Sequence, residues 1–288
     1  MSRLVGTMLI VVSAVGFGTL AIFGRYASAD GMDALTILFL RFTLAAILMF
    51  AVLVVRRERL PRGPVLLRLI GMGAIGYIGQ SFAYLTALNY ASAGLVAMLL
   101  YLYPVFVALL AALVLREPIT GVKGLALGVA LLGIVFTVGP SGGQIIGILL
   151  AITGAMIYSI YIIVGTDVMR QTSSIQSSAV IFAAAGVSAG LLMLMNGSHF
   201  PATSTGWIAI MGIVVLATLI PVAAFLAGLE RVGPTNASML STLEPVVTVL
   251  LAYWWLNELL TPVSLLGGGL ILVAVLVLTR SELRRTRA

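Results

Sequence analysis

The chain has 288 residues, 61% of them hydrophobic and 9% charged, with a net charge of +7. An ordinary soluble domain carries roughly 25% charged residues, so this chain lacks the polar surface to cover a globule in water and must be solvated largely by lipid. Zero cysteines exclude disulfides, thiolate metal sites and cysteine nucleophiles, and the one histidine, His199, excludes a multi-histidine metal centre.

A spanning helix needs roughly 20 apolar residues. Ten blocks qualify: 4–25, 34–55, 67–88, 93–115, 121–138, 145–165, 175–195, 206–229, 236–256 and 262–279. The first resembles a signal peptide in Arg3 and in Ala27-Ser28-Ala29, but its apolar run is too long for one, so it is expected to stay as a span. The second block carries Arg41, which has three readings: it snorkels outward, pairs with a carbonyl or an acid, or serves the site directly. In the third, Gly73, Tyr77, Gln80 and Tyr84 follow a helical stripe. Gln80 inside a membrane wants a partner or water, and the tyrosines offer aromatic surface with a hydroxyl tip. Cavity lining and helix–helix hydrogen bonding both fit this stripe.

The fourth block, within "MLLYLYPVFVALLAALVLRE" (98–117), contains Pro104 with Tyr101 and Tyr103 beside it, and Tyr101 is favoured to face a cavity. Gly124 and Gly128 in the fifth, with Gly267–Gly269 in the tenth, permit close helix approach. Tyr158 and Tyr161 sit centrally in the sixth, too deep for an interfacial belt. The ninth, within "MLSTLEPVVTVLLAYWWLNE" (239–258), places Glu244 directly before Pro245 and ends in Tyr253, Trp254 and Trp255, which read as such a belt. Glu244 has three readings: it binds a substrate ammonium, carries a coupling proton, or bonds a neighbouring helix. Proline removes a helix hydrogen bond and crowds the preceding turn, so Pro104 and Pro245 are expected hinges around a shared space. Glu117 and Glu258 are expected to act locally, in turns with Thr120 and Thr261.

The fourth and ninth blocks share more than proline. Without gaps, residues 88–128 match 229–269 at 15 of 41 positions, and the offset of 141 also pairs Gly6 with Gly147, Gly71 with Gly212, and Phe17 with Tyr158. Residues 1–141 are therefore one five-helix repeat and 142–288 a second. Five is odd, so the second enters the membrane inverted. Inverted repeats characterise secondary transporters, whose substrate sits near midplane at the repeat interface. The fold class expected is all-α and polytopic, with ten transmembrane helices around a central cavity.

Of the 16 lysines and arginines, 14 fall in alternate connections and at the two termini, which sets both termini in the cytoplasm of a cell (inner) membrane protein. Basic residues lie between apolar blocks rather than among surface aromatics, so nucleic acid is not an expected partner.

The segments "YPVFVALLAALVLREPITGVKGLALGVALLGIVF" (103–136) and "LEPVVTVLLAYWWLNELLTPVSLLGGGLILVAVLVL" (243–278) resemble the two EamA-type halves of the drug/metabolite transporter superfamily. Within it the chain looks like the YddG-type amino-acid exporters. The resemblance covers essentially the whole chain and implies ten helices, a central cavity and export of amino acids or related metabolites. The first copy carries Tyr103 where the second has Glu244, so any family role for that acid transfers only to Glu244.

The function expected is a secondary transporter that exports aromatic, neutral or other amino acids by alternating access. The substrate-binding set is Phe17, Tyr77, Gln80, Tyr84, Tyr101, Tyr158, Tyr161 and Glu244. Its partners are a small molecule and the bilayer; no cofactor or metal is called for, and a monomer suffices. A multidrug or organic-cation exporter is the alternative within the class. From another class, "GPSGG" (139–143) formally fits G-x-S-x-G, with Ser141 as nucleophile and His199 as base of an intramembrane hydrolase, although Gly-Pro-Ser-Gly-Gly is ordinary turn chemistry. Catalysis is not the expectation.

Overall fold

The computed structural model describes residues 3–87, 90–91, 96, 99–138, 144–256 and 262–287. Among them the chain is helical throughout: α1 (Arg3–Gly18), α2 (Leu20–Ala29), α3 (Ala34–Arg56), α4 (Pro64–Gly71), α5 (Ile78–Ala87), α6 (Tyr103–Val114), α7 (Gly121–Val138), α8 (Ile145–Val168), α9 (Ser174–Asn196), α10 (Ser204–Val214), α11 (Ile220–Val232), α12 (Pro234–Leu240), α13 (Glu244–Leu256) and α14 (Pro262–Arg287). Ser141, Glu258 and Thr261, singled out above, lie outside the described residues.

Seven helical stretches are long and apolar enough to cross a bilayer, and three shorter apolar helices, Tyr103–Val114, Gly121–Phe136 and Leu265–Val277, fall in the remaining predicted blocks. This is a multi-pass membrane protein. Its exposed surface agrees: Ile47, Leu125, Leu149, Val187 and Leu191 face outward on these helices, where only lipid would favour them.

Local chemistry sets the ends. Asp33 caps α3 by accepting from the Leu35 and Thr36 backbone N–H groups at 2.9 and 3.0 Å. Ser173 and Gln176 form a reciprocal capping box at the start of α9. Arg57, in the left-handed region at φ 54°, ends α3.

Four spans expected to be continuous are interrupted. Thr19 separates α1 from α2, and its hydroxyl donates to the Gly16 carbonyl at 2.7 Å. Met72–Tyr77 joins α4 to α5 as a π turn, and Val215–Leu219 joins α10 to α11 the same way. A 3-10 turn, Ser241–Leu243, separates α12 from α13. Pro104 and Pro245 sit in the first turn of α6 and α13. Instead of kinking a running helix, each starts a new one after the preceding turn has opened, as the missing N–H requires.

The most extensive packing is α3 against α9 and α7 against α14, followed by α1 against α11 and α5 against α8. Each pair joins a helix from residues 1–141 to one from 142–288. Glycines permit it: a Cβ at Gly186 would crowd Thr43, and one at Gly133 would meet the Gly267 carbonyl at 2.7 Å. Gly124 and Gly128, expected at such contacts, face open space instead.

Candidate functional site

The interruptions surround a run of aromatic rings. Tyr77 meets Tyr161 edge-on at 5.4 Å between centroids, Tyr161 stacks on Tyr158 at 5.8 Å, Tyr158 meets Tyr103 at 4.8 Å, and Tyr103 lies 6.4 Å from Tyr101. Phe42 extends the run past Tyr77 at 5.1 Å and stacks on Phe182 at 6.3 Å. Both halves of the chain contribute rings: Phe42, Tyr77, Tyr101 and Tyr103 from the first, Tyr158, Tyr161 and Phe182 from the second. Edge-on pairs suit this packing because a ring's positive rim meets its neighbour's negative face.

Each end of the run carries a charge. At one end Glu244 lies within electrostatic range of the Tyr101 hydroxyl. Tyr103 is held between them by its own hydroxyl, which donates to the Ser238 carbonyl at 3.3 Å, and by its carbonyl, which accepts from Ser159 Oγ at 3.1 Å. The opened turns before Pro104 and Pro245 lie here, so the acid and its tyrosine partner sit at two helix starts.

At the other end is Arg41, only 6% exposed. Its guanidinium lies 5.0 Å from the Phe42 centroid and 6.0 Å from that of Tyr77. Nε donates to Thr218 Oγ1 at 2.6 Å and Nη2 to the Ala217 carbonyl at 3.3 Å. Both acceptors belong to the π turn, and the Thr218 hydroxyl itself donates to the Ile213 carbonyl at 2.7 Å. The turn offers an acceptor because Pro221 lacks the N–H that would take the Ala217 carbonyl in an α-helix. Among the described residues, Nη1 makes no hydrogen bond and no carboxylate lies within 4.0 Å of Arg41. Glu244 is the one acid within its electrostatic range.

Of the expected binding residues, Tyr77, Tyr101, Tyr158, Tyr161 and Glu244 come together here. Tyr84, one turn beyond Gln80 on α5, is within electrostatic range of Glu244. Gln80 is half-buried, and among the described residues its one side-chain contact, from Ser81 Oγ at 3.5 Å, is too long to satisfy it. Phe17 sits near the α1–α2 break, and among the described residues no ring contact joins it to the run. Tyr101, Tyr158 and Glu244 are half-buried, whereas Tyr103 is 3% exposed. The buried Tyr161 hydroxyl has no hydrogen-bond partner among the described residues.

In the sequence, Phe42, Thr218 and Pro221 carry no signal of a site role, and Arg41 has three readings, a direct site role among them. An intramembrane arginine was the available signal; its partners were not legible.

Away from the centre, each end of the bundle is tied across the halves. Asp30 accepts from the Thr203 hydroxyl at 2.6 Å and the Ala202 N–H at 2.9 Å, while His199 Nδ1 lies 3.2 Å from Asp33. The Thr203 hydroxyl foremost, helped by the two backbone N–H groups, holds the Asp30 carboxyl below its ordinary range. Burial pushes Asp33 up, but bonds from Thr36, His199 and Leu35 prevail and leave it lowered. At the opposite end Glu117 accepts from Lys123 Nζ at 2.7 Å and Thr235 Oγ1 at 2.9 Å. It therefore reaches across to the second half instead of acting only in its own turn with Thr120. Glu58 accepts from Ser173 Oγ at 2.6 Å on that same end.

Two apolar grooves indent the outer surface, one beside Phe39 and Phe50, the other beside Phe23 and Trp255. Neither borders Arg41 or Glu244. The chemistry that can orient a polar solute lies at the centre.

Residues 4–139 and 145–280 each match the EamA-like transporter family. An uncharacterized transporter of Archaeoglobus fulgidus is 28% identical over 280 residues, covering 96% of both chains. The uncharacterized inner membrane transporter YedA of Escherichia coli is 24% identical over 250 residues, covering 83% of this chain and 79% of its own. A crystal structure of another protein superimposes with a TM-score of 0.84 at 23% identity, covering 95% of this chain and 98% of that one, which shows a shared fold.

Proposed function

The chain belongs to the EamA-like transporter family, and from that premise we propose that it exports amino acids or related small metabolites by alternating access. The observation that carries this reading is the run of tyrosines, built from both halves and ending on Glu244. Such a run suits an amphipathic solute: rings receive its apolar part, and the acid receives an ammonium group. The proposed architecture is ten spans in two inverted five-span halves around a central cavity, with both termini cytoplasmic. The pairing of helices supports it, since α1 with α11 and α5 with α8 exchange roles when the halves are swapped. Rocking would break the Asp30–Thr203 and Glu117–Thr235 ties in turn, opening one end and then the other. Pro104 and Pro245, at opened turns, are the proposed hinges.

An organic-cation exporter is the second reading, because Glu244 and the rings would serve a cationic dye equally. No observation favours a hydrolase: His199 is engaged by Asp33 at the exposed end of the bundle.

Counterflow in proteoliposomes tests the proposal, with labelled amino acids and cationic dyes, with and without a pH gradient. Gln80→Ala, Tyr101→Ala, Tyr158→Ala and Glu244→Gln should depress uptake in folded protein. Undiminished transport in all four would show that the central rings are not the site.

A further inference from the structure

A buried arginine without a carboxylate in contact is costly, because its desolvation is not repaid by an opposite charge. Arg41 is in that condition. Two of its three nitrogens are spent on the π turn, on Thr218 Oγ1 and the Ala217 carbonyl, so the guanidinium is fixed in place. The third, Nη1, has no partner among the described residues. The balancing acid, Glu244, is within electrostatic range but out of contact. Between them run Tyr77, Tyr161, Tyr158, Tyr103 and Tyr101, and the buried Tyr161 hydroxyl also has no hydrogen-bond partner among the described residues. Among the described residues the centre thus holds one cation and one acid, each able to take an opposite charge that no described side chain brings into contact with it.

We propose that Arg41 is the carboxylate-binding residue of the transport site, with its Nη1 edge as the donor, so that the substrate must be a zwitterion whose carboxylate docks on Arg41 while its ammonium faces Glu244. This rests on the export reading above and narrows it. A cationic dye would satisfy Glu244 but leave the Arg41 charge unanswered, and it would place a second positive charge near the first. A zwitterion answers both, and its apolar side chain lies along the rings. Thr218 and the Ala217 carbonyl are positioning groups: they hold the guanidinium and touch no substrate.

The test uses three probes that differ only at the two charges: L-phenylalanine, L-phenylalaninamide, which lacks the carboxylate, and 3-phenylpropanoate, which lacks the ammonium. Binding to purified full-length protein and counterflow in proteoliposomes are both measured. Wild type should prefer L-phenylalanine over the amide by at least about tenfold, the factor one charge-assisted hydrogen bond supplies. This comparison needs no variant. Arg41→Gln should erase the preference by weakening L-phenylalanine while sparing the amide, and Arg41→Lys, which keeps the charge without the fork, should restore part of it. Glu244→Gln should instead narrow the gap between L-phenylalanine and 3-phenylpropanoate. Equal affinity of wild type for L-phenylalanine and its amide would overturn the inference while leaving amino-acid export standing. Uptake of the amide but not of L-phenylalanine would overturn both, and favour the organic-cation reading. An Arg41→Gln protein that is folded and has an unchanged KM for L-phenylalanine would also overturn the assignment.

Discussion

The two EamA halves have one backbone plan and different chemistry where they face each other. Both carry a π turn, at Met72–Tyr77 and Val215–Leu219, and both open a turn before a proline, at Pro104 and Pro245. Yet at the offset of 141 residues, Arg41 stands opposite Phe182, Tyr77 opposite Thr218, and Tyr103 opposite Glu244. The first half supplies the cation and most of the rings; the second supplies the acid and the acceptor that holds the cation. Two identical halves would set like charges against each other in a low dielectric, which is costly. The difference teaches that duplication fixed the scaffold, while divergence at a few positions gave the centre two walls of opposite sign.

The sharpest way to break that comparison is to move the acid. Glu244→Gln should lower transport at least about tenfold, and adding Tyr103→Glu should not restore it, because the Tyr103 ring is packed 4.8 Å from Tyr158. Recovery in the double variant, measured by counterflow, would make the two positions interchangeable. The paired glycines give the next largest effect. Gly71 has nothing near its Cβ position, whereas a Cβ at Gly212 would meet the Phe23 ring at 2.6 Å. Gly212→Leu should therefore cost about 1–3 kcal/mol by overpacking, and Gly71→Leu should leave the unfolding midpoint in detergent nearly unchanged.

Thr218 and its counterpart Tyr77 sharpen the contrast at the Arg41 wall. Thr218→Val leaves the buried Arg41 Nε without its acceptor, a loss of about 1–3 kcal/mol, while Tyr77→Phe should stay within about 0.5 kcal/mol. Thermal unfolding of the two variants decides it. The smallest effect is at the Asp30 and Asp33 end. Both carboxyls are lowered in the folded chain from the ordinary value of 3.8. Their contribution is complete above that value and fades as pH falls through the folded one. Asp30→Asn should thus lower the midpoint slightly at neutral pH and by less near pH ~3. A deficit that grows on acidification would contradict the hydrogen-bond account.

What was legible in the sequence is what repeats. Apolar run lengths give the spans, and the recurring Pro-Val and glycines give the two halves. Glu244, Tyr101 and Tyr158 were legible as candidates because a polar or ring hydroxyl deep in an apolar block needs a reason. Rotation about the helix axis was not. A span that is apolar on every face carries no periodic signal to orient it, so Phe17 was grouped with its counterpart Tyr158, although only Tyr158 joins the rings. The same blindness placed Gly124 and Gly128 at contacts they do not make. Pro221 carries no repeat signal, because its counterpart at the offset of 141 is Gln80.

That proline has a consequence for how tightly the site can grip. Its ring deletes one amide hydrogen, and the vacated carbonyl of Ala217 becomes a mooring for the Arg41 fork. A side chain tethered in advance surrenders its rotamer freedom during folding rather than on encounter with a solute, so the entropic toll of capture is already settled. Restoring the hydrogen with Pro221→Ala would offer the carbonyl a rival, loosen the fork and speed release without touching any atom that meets the cargo.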